Sequence, residues 1–261
     1  MLKRWTMSAL CSLFLSAALP AAATDYTDIW YIPAESGWGV NLVQAENVIF
    51  ATFFVYGPNN QPTWFVAITN KDGNGNFSGS LYTTVGPYYG GPWNPAIYMP
   101  TLAGTATFVP KSPYAGTLTY SIINGPTVVK SIQRQTLTTI SLGGTYTGGQ
   151  AGGYSQCDDS SQNGPYTDTY DPLQVTHANG AVTFVFTYNS GSTCTMSGNL
   201  TQVGQLYQIS SMQYSCTGKL MFNVNGTMDE IKATAQGIEG HFTANVGTGC
   251  QEDATFSAVL N

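Results

Sequence analysis

The sequence predicts an all-β fold: two antiparallel meander units, small up-and-down barrels or sandwiches, behind a cleaved leader. Three observations carry this expectation. Short runs of β-branched and aromatic residues alternate with Gly, Asn and Pro punctuation along the chain. No helical period of useful length occurs, and the best candidate, GTMDEIKATAQG at 226–237, is short and loses its apolar stripe. Only 8% of residues are charged while 43% are apolar, so polarity comes from Gly, Thr, Ser, Asn and Gln; this excludes a charged helical protein and a disordered chain alike.

Taken in order, the first 23 residues read MLKRWTMSALCSLFLSAALPAAA. Lys3 and Arg4 precede a 13-residue apolar run at 7–19, and the stretch ends on Ala21-Ala22-Ala23. This is the three-part pattern of a secretory signal peptide. A membrane-spanning helix needs roughly 20 apolar residues, so residues 1–23 read as an export signal rather than an anchor, with Thr24 as the expected mature start. No later stretch is apolar enough to span a membrane. The expected location is secreted or periplasmic.

Strand signals follow. VIFATFFVYG (48–57) and PTWFVAIT (62–69) flank PNNQ; NKDGNGN (70–76) turns the chain into FSGSLYTTVG (77–86). GTATFV (104–109) and GTLTYSI (116–122) flank KSPYA, and Asn124-Gly125-Pro126 leads into TVVKSIQRQT (127–136). In AVTFVFTY (181–188), Val182, Phe184, Phe186 and Tyr188 share one face, the pattern of a half-buried strand. In VIFATFFVY both faces are largely apolar, so the strand is either covered on both sides or contributes to an exposed sticky face; cover by the other half or by the loop PYYGGPWNP is the favoured expectation.

Two halves of seven or eight candidate strands each emerge, residues 24–140 and 141–261, with a boundary near the glycine cluster SLGGTYTGGQAGG (141–153). One barrel wrapping both halves is the alternative. The first half holds Trp30, Trp38, Trp64 and Trp93; the second holds Cys157, Cys194, Cys216 and Cys250. Four cysteines in an exported chain read as two disulfides. Folding the chain back about Gly204-Gln205 brings Cys194 level with Cys216, which leaves Cys157 for Cys250. A four-thiolate metal site would need close C-x-x-C pairs, and none exists.

Beyond the leader the chain keeps 6 of its 8 Lys and Arg and all 14 Asp and Glu, a formal net charge of −8. With no Lys/Arg cluster, such a surface repels phosphate backbones, and nucleic acid is excluded as a partner.

The stretch PAESGWGVNL (33–42) sets Glu35 beside Gly37-Trp38-Gly39. A general acid or base works with a second titratable group, and none stands near Glu35 in sequence. The alternative is structural: Lys130 and Arg134 share one face of TVVKSIQRQT with Val128 and Ile132, and a cation on an inward face needs a carboxylate such as Glu35. IPAESGWGVNL, an aromatic strand, and then QPTWFVA after a turn together resemble a recurring Trp/Gly-rich domain of secreted proteobacterial proteins, over residues 28–136. The resemblance implies a β-rich exported module and carries over no catalytic residue. The second half lies outside it; its meandering strands look like the calycin type of small barrel.

Candidates for chemistry are sparse. There is no G-x-S-x-G, HExxH or P-loop pattern. His177 sits in an expected turn, and His241 shares a face with Glu239. DGNGN at 72–76 starts like a calcium loop but places Phe77 where Gly is needed, so it reads as a hairpin turn. If Cys157 pairs with Cys250, then Asp158, Asp159, Glu252 and Asp253 converge, either as a solvated acidic rim or as a Ca²⁺ site. The loop PYYGGPWNPAIY (87–98) carries Tyr88, Tyr89 and Trp93, an aromatic platform for sugar rings or apolar ligands, or else a lid. The expectation is therefore a non-catalytic binding protein for a carbohydrate or apolar small molecule, with Trp38, Trp64, Tyr88, Tyr89, Trp93, Glu35, Lys130 and Arg134 as its site. The alternative is a structural component of the cell envelope or matrix whose partner is another envelope protein. No organic cofactor is implied.

Overall fold

The computed structural model describes residues 24–247 and 249–261, so the expected signal peptide at 1–23 lies outside the described residues. The chain forms two closed antiparallel barrels of eight strands. The first comprises β1 (Asp28–Tyr31), β2 (Gly39–Ala45), β3 (Val48–Tyr56), β4 (Pro62–Lys71), β5 (Phe77–Val85), β6 (Met99–Pro110), β7 (Ala115–Ile122) and β8 (Thr127–Arg134). Each strand pairs with the next, and β8 returns to β1 with Arg134 opposite Trp30.

The second comprises β9 (Gly144–Ser155), β10 (Gly164–Ala178), β11 (Ala181–Tyr188), β12 (Ser192–Asn199), β13 (Thr201–Val203), β14 (Leu206–Gly218), β15 (Phe222–Ala233), β16 (Gly237–Val246) and β17 (Cys250–Leu260). β17 pairs with β9 and β12 with β14, which closes the ring; short β13 folds back on β14 outside it. The helix candidate at 226–237 is mostly strand β15.

Period-two alternation drives both barrels. Ile49, Ala51 and Phe53 of β3 point into the first, while Phe50 and Phe54 point out. Trp30 lies fully buried with its ring edge-on to Phe108, centroids 5.1 Å apart. Val182, Phe184, Phe186 and Tyr188 of β11 are buried in the second, as their shared face predicts. Side chains fill both interiors, as eight-stranded barrels allow, and each fully buried large apolar side chain contributes about 1.5–3 kcal/mol.

Both predicted disulfides are present, Cys157–Cys250 and Cys194–Cys216, and the latter pair are direct cross-strand neighbours. Two disulfides fit an oxidising, extracytoplasmic compartment. No helix of the described residues is long and apolar enough to cross a membrane. The glycine cluster lies largely within β9: a Cβ on Gly152 would stand 2.4 Å from that of Ala254 in β17, so glycine lets the two strands pack at this point.

Residues 135–143 connect the barrels, and a set of hydrogen bonds joins them. Tyr114 donates to the Tyr207 carbonyl (3.2 Å) and accepts from the Glu230 amide (2.8 Å). Tyr207 in turn bonds both the amide and the carbonyl of Ile140 (2.8 Å each). The β13–β14 turn reaches the first barrel at Gly204, whose φ of +69° and closeness to Arg134 leave no room for a side chain.

Candidate functional site

Predicted site residues fall into three groups. Lys130, on the inward face of β8, and Glu35, in the turn after β1, meet at one mouth of the first barrel with Nζ and Oε2 2.6 Å apart. The Trp38 indole donates to the same oxygen (3.0 Å), and Lys130 lies 5.4 Å from the Trp38 ring centre. The Lys130 hydrogen bond, then that of Trp38, hold the Glu35 carboxyl below its usual range. A carboxylate held by two donors is a poor proton acceptor. Arg134 is separate from this group: it is 2% exposed and pairs with Asp28 (3.2 Å), not Glu35. It also donates to the carbonyls of Pro113 (2.7 Å), Thr27 (3.1 Å) and Asp25, and its guanidinium lies 5.0 Å from the Trp30 ring centre.

Trp64 belongs to the second group, on the outer wall. Cross-strand register places Val43, Phe50 and Ile68 in one row over β2–β3–β4, and Phe54 beside Trp64 in the next. All five, with Tyr56, are 42–58% exposed, so among the described residues the expected cover over this face is not found. Tyr88, Tyr89 and Trp93 are also exposed, in the loop after β5, with Tyr89 at 94%. Residues 47–70 and 73–110 contain no Asp, Glu, Lys or Arg, so both the face and the loop come from uncharged sequence.

The acidic quartet forms the third group, and the structure does not bring it together. Adjacent residues of a strand point to opposite faces: Glu252 lies inside the second barrel at 1% exposure, while Asp253 points out to His241. Asp159 instead caps a short 3₁₀ turn through the Ser161 amide (3.0 Å). Among the described residues, no group of three or more His, Cys, Asp or Glu side chains is placed to hold a metal ion.

Glu252 has a different setting from the one expected. Tyr166 and Tyr154 donate to its Oε1, the latter at 3.5 Å, while Tyr214 faces the same buried carboxylate. Gln150 extends the network, accepting from Tyr188 (2.6 Å) and donating to Tyr166 (3.0 Å). Burial pushes the Glu252 carboxyl above its usual range against the opposing effect of the tyrosine bonds, and burial followed by the Glu252 charge raises Tyr166, Tyr188 and Tyr214 so that they stay protonated. The strand pattern could have revealed this: in CQEDATFSAV, Glu252 shares its face with Cys250, Ala254 and Phe256.

A groove of about 640 Å³ runs between the outer wall of the second barrel and the first barrel's N-terminal segment and β8 end. His241 lines it, held by Asp229 at Nδ1 (2.7 Å) and Asp253 at Nε2 (3.0 Å). The Asp229 bond is the largest of the causes that raise the imidazole to about 9, so it is cationic at neutral pH. Asp229 and Asp253 come from strands on either side of β16, a juxtaposition that no sequence spacing displays.

No protein-family model and no curated protein matches the chain.

Proposed function

We propose that the protein is an exported, non-catalytic binding protein that holds a neutral carbohydrate on the outer wall of its first barrel. The observation that carries this reading is the uncharged aromatic face of β2–β4, centred on Phe54 and Trp64. Large apolar side chains left in water in a contiguous patch mark an interaction surface. Aromatic rings stack on the C–H faces of sugars, and Asn41, Thr52 and Ser80, which share this alternation, offer uncharged hydrogen-bonding groups. The exposed Tyr88, Tyr89 and Trp93 supply further stacking surfaces of the same kind. A non-catalytic role is favoured because Glu35, His241 and Arg134 are each tied to fixed partners. The resemblance of the ESGWG region to a secreted Trp/Gly-rich domain agrees with export to the periplasm or beyond.

Isothermal titration with neutral oligosaccharides, charged oligosaccharides and a fatty acid tests this reading. Saturable binding of a neutral sugar that weakens at least tenfold in Trp64→Ala supports it. Binding of the fatty acid alone would move the assignment to an apolar ligand. A second reading is favoured by the row Val43, Phe50 and Ile68, which is aliphatic at both ends: an envelope component that meets a protein partner. It predicts no sugar binding and self-association or envelope retention that Phe50→Ser abolishes.

A further inference from the structure

The two ends of the first barrel differ in charge. One end meets the second barrel through Tyr114 of the β6–β7 turn, which bonds Tyr207 and Glu230. Its turns carry Glu46, Asp72 and Lys111. The connections at the far end are residues 32–38, 57–61, 86–98 and 123–126. Their one charged residue is Glu35, which Lys130 neutralises at 2.6 Å. The asymmetry extends along the molecule. Residues 24–140 hold four Lys and Arg against five Asp and Glu, and residues 141–261 two against nine, formal net charges of −1 and −7.

The longest far connection, 86–98, is aromatic and stays outside the fold. Tyr88, Tyr89, Trp93 and Tyr98, with Val85 and Met99 at the base of the loop, are 50–94% exposed, and none belongs to either barrel core. The loop is nonetheless shaped. The Gly91 amide bonds the Tyr88 carbonyl (3.0 Å), and the Asn94 side chain caps the 3₁₀ turn Pro95–Ile97 through the Ala96 amide (3.0 Å). The rings pair with each other, Tyr88 with Tyr89 at 4.9 Å between centres and Trp93 with Tyr98 at 6.4 Å.

Large apolar groups held in water mark an interaction surface. Trp and Tyr, apolar in body and polar at one tip, settle at the headgroup level of a bilayer. Charge selects a lipid surface as the occupant. Entry of this end dehydrates no unpaired ion, and the acidic second barrel stands at the other end of the molecule.

We propose that the loop 86–98 docks the protein peripherally on a zwitterionic lipid surface, with the first barrel end-on and the second directed to water. This is a binding site additional to the sugar face and does not depend on it, because phosphatidylcholine vesicles carry no sugar.

Flotation of the oxidised protein with phosphatidylcholine vesicles tests the proposal. The wild type floats with them, added anionic phosphatidylglycerol does not strengthen the binding, and high salt does not release it. Tyr89→Ser/Trp93→Ser weakens flotation at least tenfold with unchanged melting, since both side chains lie outside the cores. Phe50→Ser, toward the charged end of the wall, leaves it intact. Should the double variant misfold, bromine-labelled lipid chains give a second readout: they quench wild-type tryptophan fluorescence, and most of that quenching is lost in Trp93→Phe. Absence of flotation, equal flotation of wild type and Tyr89→Ser/Trp93→Ser, or binding only to anionic vesicles that salt releases overturns the proposal. So does a solution dimer that the double variant dissociates while no vesicle binding is seen, which would assign the loop to a second copy of the chain.

Discussion

Replacing Arg134 with Met removes the cation that joins the end of β8 to the N-terminal segment at the inter-barrel contact. Arg134 and Asp28 have side-chain exposures of 2% and 4%, so the loss leaves a carboxylate buried with only the amides of Ile29 (2.8 Å) and Gln205 (3.3 Å) as donors. The carbonyls of Pro113, Thr27 and Asp25 lose their donor as well. Breaking a buried pair by removing one partner costs about 3–5 kcal/mol, or roughly 10–15 °C in Tm at about 3 °C per kcal/mol for a unit of this size. Trp30, fully buried against the guanidinium, makes tryptophan fluorescence the direct readout, since Trp30, Trp38, Trp64 and Trp93 all belong to the first barrel. Adding Asp28→Asn to Arg134→Met removes the uncompensated charge and recovers part of the loss. A loss below about 1 kcal/mol, or a double variant less stable than the single, would refute the reasoning.

Other outcomes follow from the same geometry. The folded His241 imidazole is raised to about 9 from an ordinary 6.5, so its contribution is fully present below 6.5 and is lost as pH rises through 9; His241→Ala flattens the stability profile across that window in urea titrations. Glu252 is also raised, so its protonated form supports the fold at low pH and stability falls as pH climbs past the ordinary carboxylate range; Glu252→Gln melts higher than wild type at pH 8, with the difference shrinking toward pH 4. The disulfide loops span 93 and 22 residues, so the chain-entropy model gives losses of about 4.5 and about 3 kcal/mol for Cys157→Ser/Cys250→Ser and Cys194→Ser/Cys216→Ser, measurable by calorimetry. Glu35→Ala removes the acceptor of the Trp38 indole and shifts its fluorescence with little change in melting, because the ion pair is solvent-exposed.

Much of this architecture is legible in the sequence because it rests on local alternation. The inward set of β11, the turn at Gly204 and the Cys194–Cys216 pairing all follow from period two and one fold-back point. Lys130 on an inward face needing a carboxylate is legible for the same reason, and Glu35 supplies it. What stayed hidden depends on barrel closure. Asp28 becomes the partner of Arg134, 106 positions away, only because β8 returns to β1. Glu252 and Asp253 looked like one acidic pair, yet the pleat sends one into a tyrosine network and the other to His241. The outer face of β3 was expected to be covered, because a doubly apolar strand suits a packed layer; a closed barrel of this size already fills its interior with one face and leaves the other to solvent.

The central claim, that the uncharged aromatic face binds neutral carbohydrate, is most directly tested by affinity electrophoresis through gels containing a neutral or an acidic polysaccharide. Wild-type protein and Phe54→Ser/Trp64→Ser would be compared, with melting curves confirming that both are folded. The account predicts that the neutral polysaccharide retards the wild type, that the double variant runs unretarded, and that the acidic polymer retards neither. Equal mobility of the two proteins in every gel would contradict it.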